Sequence, residues 1–528
     1  MPNLLQTYRK NRTLIITLVI LFLLLLLAIQ GMSTRDWVVT VLRGLAVGSI
    51  TFLVAAGLSI ILGLMDVLNL AHGTLFMIGA YVGWSMYVRP DTVVDATTPF
   101  LLVLAGFLLM PLWMPLLGRL RLGRSATRVW PWIALLAGLA LLALALTRYP
   151  LSIWSGTEYQ NSPIVWNQYF EAGTVQENVT PATFDTIIAA VVDWGSLLAG
   201  SVLVGLAVAG FAIARRGPTA QANRSAVRPL MWFVLVAAVG VGLYVVNTPL
   251  SDFLLSLSSN ALFVLALIVA ALVGAGLGGL MESTMIRPLY DRGIYQILLT
   301  LGLGFIGVEM VRSIWGRTGF TMPKPALFSS TGDGCPAESI SGWLQHQCST
   351  IIVDIGGEPA RIRTYNELFV IAVGIVVLIA VWLLLQRTRL GMIIRAGVQD
   401  SRMVEALGIN VRRVFTLVFA LGVGLAAFGG VIAAPATGLS DTMGATLLLS
   451  SLIALAIGGL TSFPGAAAGA VIVGLTQQFI IRYGQLGINL PFLAEPWKPS
   501  PPLVPASVIL LMIIILLVLP QGLFGRSE

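Results

Sequence analysis

Residues 260–281, NALFVLALIVAALVGAGLGGLM, contain no charged side chain and are long enough to cross the roughly 30 Å hydrocarbon core of a bilayer as one helix. The rest of the chain has the same character. Of its 528 residues, 57% are hydrophobic and 10% are charged, and the mean hydropathy is +0.91. A soluble domain carries about 25% charged residues. The sequence therefore predicts an all-α polytopic membrane protein.

Similar apolar stretches recur along the chain. About fourteen of them approach the length of a membrane-spanning helix, so we expect about 12 to 14 transmembrane helices. The first follows a basic cluster, but no A-x-A cleavage pattern comes after it, and we interpret it as an uncleaved helix. The stretches are 14–29, 37–62, 73–88, 100–117, 130–147, 184–214, 231–246, 260–281, 294–314, 368–385, 414–434, 446–460, 465–481 and 504–520.

The arginine residues indicate the orientation of the chain. The net charge of +8 does not point to nucleic acid, because the basic residues lie in short loops, where excess cations mark the cytoplasmic side. The opposite loops carry acidic residues or the long outer segment 315–366. Both termini are therefore predicted to be cytoplasmic. The predicted cytoplasmic arginines are Arg119, Arg121, Arg124, Arg128, Arg215, Arg216, Arg224, Arg228, Arg287, Arg292 and those between Arg387 and Arg413.

Two observations narrow the chemistry. A phosphate-binding P-loop needs a lysine directly after a glycine, and no lysine here follows a glycine. Any ATP that drives transport must then be used by another chain. A GxGxxG pattern at Gly302, Gly304 and Gly307 lies inside an apolar run. It indicates close helix packing rather than a dinucleotide site, which requires a soluble βαβ unit.

The two cysteines, Cys335 and Cys348, share the outer polar loop. Together with His346 they would supply three metal ligands, fewer than the four of a closed site, so no metal site is predicted. A local disulfide is favoured because the predicted compartment is oxidising. Free thiols are the alternative.

The sequence VLNLAHGTLFMIGAY, residues 67–81, places polar groups at membrane depth. Such groups are costly in lipid and tend to face a cavity or pathway. A fresh apolar run begins at Gly73, which predicts a broken helix whose ends could hydrogen-bond a polar substrate. The alternative is a cytoplasmic hairpin in which Asn69 and His72 cap helix ends.

The charged segment 386–413, QRTRLGMIIRAGVQDSRMVEALGINVRR, is far longer than a turn between two helices needs to be. It predicts a short helix that ends at Gly408 in the C′ position, with Asp400 or Ser401 as its N-cap. Such a helix on the membrane face would fit a groove on a soluble subunit. The alternative is an interfacial amphipathic helix held by anionic lipid.

A third motif, STMIRPLYDRGIYQILLTLGL, covers residues 283–303. Arg287 and Pro288 are predicted to end one helix at the cytoplasmic side, and the next begins near Gly293. An arginine at such a turn indicates an orientation anchor. Docking of a partner is the secondary interpretation.

A fourth motif, ALAIGGLTSFPGAAAGAVIVG, covers residues 454–474. Its recurring small residues permit close helix contact. Pro464-Gly465 predicts a second helix break, placed opposite the first so that each half of the protein contributes to a pathway. A simple tight turn is the alternative.

These four motifs, in this order, resemble the LivH/LivM-type permeases, the membrane subunits of bacterial ABC importers for branched-chain amino acids. Urea and short-amide permeases are close relatives of that family. The resemblance covers about residues 37–88 and 260–526. It implies alternating access, with an external or periplasmic binding protein, two ATP-binding cassette subunits and a second homologous permease subunit. It also implies a bacterial inner-membrane location, no cofactor in this chain, and ATP use by the partner subunits.

The resemblance assigns roles to particular residues. Those expected to line the substrate pathway are Asn69, His72, Gly73 and Thr74. Those expected to contact the ATPase are Arg395, Asp400, Glu405, Ala406, Gly408 and Asn410.

The resemblance also predicts four regions along the chain. They are an N-terminal helix (1–36), the first part of the permease core (37–88), an insertion of extra helices with an outer aromatic segment (89–259), and the second part of the core (260–528).

Three functions remain open at this point. The first is an ABC permease for branched-chain or other hydrophobic amino acids, and the second is a urea or short-amide ABC permease. The third is a channel or ion-coupled carrier that works alone, which should display intramembrane carboxylates. Glu309 and Asp66 give that third interpretation little support.

Overall fold

The computed structural model describes residues 31–117, 124–151, 163–179, 183–216, 227–290, 292–399, 401–488 and 495–525. These residues are mainly helical, and their single sheet is a two-stranded antiparallel hairpin. The chain divides into two compact units. One comprises the described parts of Met1–Trp84 and Ser259–Glu528, and the other those of Ser85–Ser258. The second unit has nearly the limits of the predicted insertion 89–259.

Ten of the described helices are long and apolar enough to cross a membrane, and Met443–Gly458 and Leu503–Val518 are shorter apolar helices. The prediction of an all-α polytopic membrane protein is confirmed. The predicted stretch 14–29 lies outside the described residues, so the total helix count and the side of each terminus stay predictions. The helices are α1 (Thr34–Met65), α2 (His72–Val88), α3 (Pro90–Leu108), α4 (Met110–Leu117), α5 (Arg124–Arg148), α6 (Pro163–Ala172), α7 (Val175–Asn178), α8 (Ile187–Arg216), α9 (Val227–Val245), α10 (Asn247–Leu255), α11 (Ser259–Met281), α12 (Gly293–Trp315), α13 (Ile340–His346), α14 (Val370–Arg387), α15 (Arg389–Gln399), α16 (Ser401–Ala406), α17 (Val411–Thr437), α18 (Met443–Gly458), α19 (Phe463–Leu486) and α20 (Leu503–Val518).

The first unit is built around α1, which packs against α17, α18 and α19. Glycines bring these backbones together, since a methyl group on Gly474 of α19 would lie 2.3 Å from the carbonyl oxygen of Gly44. A methyl group on Gly57 of α1 would lie 2.3 Å from the carbonyl oxygen of Gly422 in α17. In lipid, van der Waals packing of this kind replaces the hydrophobic effect as the force that holds helices together.

The segment predicted to be outer forms a small folded cap, called the outer cap. Cys335 and Cys348 are joined by a disulfide, with their Cα atoms 5.4 Å apart. Strands β1 (Thr350–Ile355) and β2 (Glu358–Arg363) pair through a two-residue turn of glycines, both with positive φ, as a tight hairpin turn requires. The Tyr365 hydroxyl donates to the carbonyl oxygen of Ile432 at 2.9 Å. The cap is therefore bonded directly to α17.

The second unit has its own core of helices α3, α5, α8 and α9. Leu102, Ala145 and Leu197 are buried there beside Tyr149. At one edge, the buried Arg89 forms an ion pair with Asp91 at 2.7 Å, and its guanidinium lies 3.6 Å from the ring centre of Trp166. Such stacking suits the planar, weakly hydrated guanidinium group. These contacts give the unit a defined interior.

The glycine contacts of α1 make a direct prediction about stability. Gly474→Leu forces α1 and α19 apart, so we expect it to lower the free energy of unfolding by about 1–3 kcal/mol, the usual cost of overpacking. Gly276→Leu is the matched control, because nothing lies within 4 Å of a methyl group at that position in α11. The measurement is thermal unfolding of both variants in detergent. Equal unfolding midpoints for the two variants would show that α1 and α19 do not approach each other this closely.

Candidate functional site: a re-entrant helix break and a cytoplasmic helical segment

The break between α1 and α2 begins where α1 ends, at Asp66. Asp66 takes the left-handed conformation (φ 51°), and its N–H donates to the carbonyl oxygen of Leu62. The chain then runs without helical structure to His72, where α2 begins. His72 Nε2 lies 3.2 Å from the carbonyl oxygen of Val54, in the interior of α1. The chain has therefore turned back into the helix bundle, which favours the broken helix over a hairpin at the helix end.

The backbone of the break is held by side chains, because exposed peptide groups are not tolerated in lipid. The Leu70 N–H donates to Thr300 Oγ1 at 3.2 Å, and the Thr74 hydroxyl donates to the carbonyl oxygen of Gly304 at 3.3 Å. Within the break, Asn69 Oδ1 accepts from the Ala71 N–H at 3.1 Å. Thr300 and Gly304 both belong to α12, so that helix supports the break from one side.

The start of α2 meets the start of α18. A methyl group on Gly73 would lie 2.2 Å from the carbonyl oxygen of Gly444, and one on Gly444 would lie 2.5 Å from that of Gly73. The N-terminal ends of two helices thus come together at these glycines. Each helix N-terminus carries a partial positive charge. Gly444 was missed by sequence reasoning, although a glycine at the start of an apolar run is the same signal that Gly73 gave.

The predicted break at Pro464-Gly465 is corrected by the structure. Helix α18 ends at Gly458 and α19 begins at Phe463, so the interruption is the four residues 459–462, and Pro464 and Gly465 are both helical. Proline is tolerated in the first turn of a helix because its missing N–H would have no partner there. The partner of the first break is also different from the prediction, since Gly73 faces Gly444.

Two polar atoms are enclosed at the break without a hydrogen-bond partner among the described residues. They are Asn69 Nδ2 and His72 Nδ1. The carbonyl oxygen of Val54 can only accept, so the neutral His72 ring carries its proton on Nε2 and leaves Nδ1 as an acceptor. The site therefore holds one spare donor and one spare acceptor. Buried polar groups without partners are rare and call for an explanation.

The segment predicted to be cytoplasmic forms two short helices, α15 and α16. Ile394 of α15 is buried against Val418, and Ile60 and Met65 of α1 belong to the same apolar cluster. This segment is therefore packed on the end of α1 next to the break. Asp400 lies outside the described residues, and Ser401 is the first residue of α16.

The end of α16 has the hydrogen bonds of a Schellman motif. The Ile409 N–H donates to the carbonyl oxygen of Val404, and the Gly408 N–H, with φ of 82°, donates to that of Glu405. Gly408 thus occupies the predicted C′ position. Asn410 then caps α17, with its Oδ1 accepting from the Arg413 N–H at 3.2 Å.

The outer face of this segment combines apolar and charged side chains. Met392, Met403 and Leu407 are 62%, 65% and 73% exposed. Glu405 and Ala406 are exposed beside them, while Arg395 donates to the Gln386 side chain. Exposed methionine is typical of surfaces that bind another protein.

A cluster of hydrogen-bonded side chains around one buried carboxylate lies between α11 and α12, and sequence reasoning did not find it. Glu282 is fully buried within a π-helical turn (Glu282–Ile286) and accepts from Arg287 at 2.8 Å and from the Tyr290 hydroxyl. Arg287 also donates to Thr416 Oγ1 at 2.5 Å. Burial, together with the bond to Glu282, raises the pKa of Tyr290 and keeps its hydroxyl a donor. The only sequence signal is a carboxylate, an arginine and a tyrosine within one short turn.

The fold and these two sites define a multi-pass membrane permease with a re-entrant helix. The family described as "Branched-chain amino acid transport system / permease component" matches residues 40–213 and 199–519. The chain belongs to this family. It is a permease subunit of an ABC importer rather than an enzyme, it lies in the inner membrane, and proteins of this class work with ATPase and other partners.

Individual relatives are similar over shorter spans. The LivH permease of the high-affinity branched-chain amino acid transport system of Salmonella typhimurium is 29% identical over 279 residues, covering 48% of this chain and 83% of its own. The BraD permease of Pseudomonas aeruginosa is 28% identical over 166 residues, covering 31% and 49%. The fructose import permease FruF of Bifidobacterium longum is 34% identical over 129 residues, covering 23% and 35%. No solved structure matches the chain at a significant level.

The bond between α12 and the break makes a testable prediction. Thr300→Val leaves the Leu70 N–H without its acceptor, so we expect the free energy of unfolding to fall by about 1–3 kcal/mol, the cost of an unsatisfied buried donor. Thr476→Val is the control, because that hydroxyl bonds only within its own helix, to Ile472. Thermal unfolding in detergent compares the two. If Thr300→Val lost no more stability than the control, the conclusion that α12 supports the break would be wrong.

Proposed function

We propose that this chain is a permease subunit that moves branched-chain or other hydrophobic amino acids inward by alternating access. It works with two ATP-binding cassette subunits, a second homologous permease subunit and an external or periplasmic binding protein, all within a lipid bilayer. ATP is used by the partner subunits and no cofactor is held by this chain. The observation that carries the proposal is the α15–α16 segment, which is folded, exposed and packed onto the end of α1 beside the break.

The exposed side chains favour a protein partner over lipid for this segment. An interfacial helix turns its apolar face into the bilayer and its charges outward. Here the buried face is already occupied, by the contact of Ile394 with Val418, and the exposed face mixes Met403 and Leu407 with Glu405. A mixed apolar and acidic face is complementary to a groove on a soluble subunit. This supports contact with the ATPase through Arg395, Glu405, Ala406, Gly408 and Asn410, together with Asp400.

The break is proposed as part of the substrate pathway. Asn69 and His72 hold the spare donor and acceptor, and Gly73 and Thr74 form the first turn of α2. A donor could meet a carboxylate and an acceptor could meet an ammonium, which is what a zwitterionic amino acid offers. Urea, which has neutral donors and acceptors, could use the same two atoms and is the alternative substrate class. The names of the branched-chain amino acid relatives support an amino acid as the substrate. A channel or ion-coupled carrier that works alone is the remaining candidate function.

The coupling assignment is tested by a charge reversal. Glu405→Lys changes the exposed face of α16 without removing a buried contact, so we expect the purified permease to lose its ATPase subunits. Glu358→Lys is the matched control, since it makes the same change in the exposed hairpin of the outer cap. Co-purification of the ATPase subunits is measured for both variants. Retention of the ATPase and of uptake by Glu405→Lys would make the coupling assignment wrong.

The substrate class is tested by uptake into vesicles that contain the complete complex. We expect ATP-dependent uptake of labelled leucine, with competition by isoleucine and valine and none by urea. Asn69→Ala should lower leucine uptake by about tenfold or more, as expected when a binding energy of about 1.4 kcal/mol is lost. Competition by urea would favour the alternative. Uptake by the permease without ATPase subunits would favour the channel or carrier.

A further inference from the structure

Helix α12 contacts the break, and the turn just before it contacts the start of α17. Its buried residues form one stripe, which includes Thr300, Gly304 and Gly307. A methyl group on Gly307 would lie 2.5 Å from Thr74 Cγ2, so this stripe packs directly on the start of α2. Much of the rest of the helix is open, and Phe305 and Ile306 are 67% and 66% exposed. The described contacts of α12 with the break therefore run along a single narrow face.

The turn that precedes α12 is bonded to the residues that follow the coupling segment. Arg287 Nη2 lies 2.5 Å from Thr416 Oγ1 and 3.5 Å from the carbonyl oxygen of Arg412, both at the start of α17. The same guanidinium binds Glu282, which also accepts from Tyr290. Tyr290 lies shortly before the first residue of α12.

A further bond joins this cluster to the first turns of α12. Gln296, which is buried in α12, donates through Nε2 to the carbonyl oxygen of Leu289 at 2.7 Å. The backbone bonds of α12 itself carry the connection on to Thr300 and Gly304. Bonded contacts therefore run without interruption from the end of the coupling segment to the re-entrant break.

The π-helical turn at Glu282 is a further sign of function at this junction. Such turns are rare, and they occur frequently at functional sites. A fully buried carboxylate is retained only when its bonds are complete, and breaking one of them is strongly destabilising. Glu282 has bonds from both Arg287 and Tyr290, so the three groups form one bonded cluster. Hydrogen-bond and ion-pair networks, together with rigid helices, can carry coupling between distant sites.

We propose that α12 is a lever that conveys movement of the coupling segment to the break at Asn69–Thr74, and that Glu282 and Thr416 are positioning residues for it. The inference rests on the proposed function, because it takes the α15–α16 segment as the place where the ATPase acts. The α15–α16 segment also contacts the end of α1 directly. Helix α12 is therefore a second route by which movement of that segment reaches the break. The lever acts on the backbone of the break, through Thr300 and Gly304, and not on the solute.

The first test follows the position of α12 in the purified permease, without ATP. A spin label on Ile306→Cys reports the mobility of the exposed face of α12, since the two native cysteines are joined as a disulfide. Thr416→Val keeps the shape of the side chain but removes one acceptor of Arg287, the one that joins it to α17 through a side chain, and we expect a more mobile label. Thr284→Val is the control, because that hydroxyl bonds only to Leu280 of the preceding helical turn. An unchanged label in Thr416→Val would overturn the inference.

The second test uses the complete complex in vesicles and measures ATP hydrolysis and solute uptake together. We expect Thr416→Val to raise the ATP used per solute imported by about fivefold or more, within the usual range of coupling between sites. Glu282→Gln should do the same if it folds, whereas Thr284→Val should not. If Thr416→Val lowered ATP hydrolysis, uptake and the yield of the complex in parallel, the role of Thr416 would be purely structural. The inference that α12 acts as a lever would then be wrong. If the unaltered complex shows no ATP-dependent uptake, the proposed function is wrong, and the label experiment still decides whether Thr416 positions α12.

Discussion

The constraint behind this structure is that peptide groups inside a bilayer must find partners within the protein. The re-entrant break between α1 and α2 leaves several residues outside any helix, and each backbone polar group there would be costly in lipid. The solution uses side chains from a neighbouring helix. Thr300 accepts from the Leu70 N–H, and Thr74 donates to the carbonyl oxygen of Gly304. Because the break depends on α12 in this way, any displacement of α12 must alter the break.

Close contact between helix backbones is the second feature on which the structure depends. The starts of α2 and α18 meet at Gly73 and Gly444, and α1 meets α17 at Gly57 and Gly422. With no side chain between them, the helices position their ends accurately without relying on an apolar core that lipid would weaken. Asn69 Nδ2 lies buried among these closely packed backbones without a hydrogen-bond partner among the described residues.

How much of this was readable from the sequence differs from one element to the next. Apolar length predicted most of the described membrane helices to within a few residues, because spanning a bilayer fixes their size. The stretch 100–117 is an exception, since α3 already begins at Pro90. Gly408 was predicted in its C′ role because helix termination is local chemistry. Gly444 and Glu282 were not found. Gly444 contacts Gly73, and Glu282 is joined to Thr416 through Arg287, and these partners lie far away in the chain. Each residue has a local signal in the sequence, but that signal does not indicate the distant partner. Pro464 was misplaced because proline is well tolerated in the first turn of a helix and does not have to interrupt it.

The arrangement also explains how a chain without a nucleotide site can be driven by one elsewhere. The segment α15–α16 lies on the ends of α1 and α17 through Ile394 and Val418, so pressure on its exposed face reaches both helices. Movement of α17 carries Thr416 and, through the Arg287–Glu282 pair, the beginning of α12. The break is thus held from two sides, by α1 and by α12. A relative shift of these two helices would change the spacing around Asn69 and His72. In the proposed mechanism, the ATPase subunits do not contact the solute. They would favour one access state over the other by moving the groups that bind the solute.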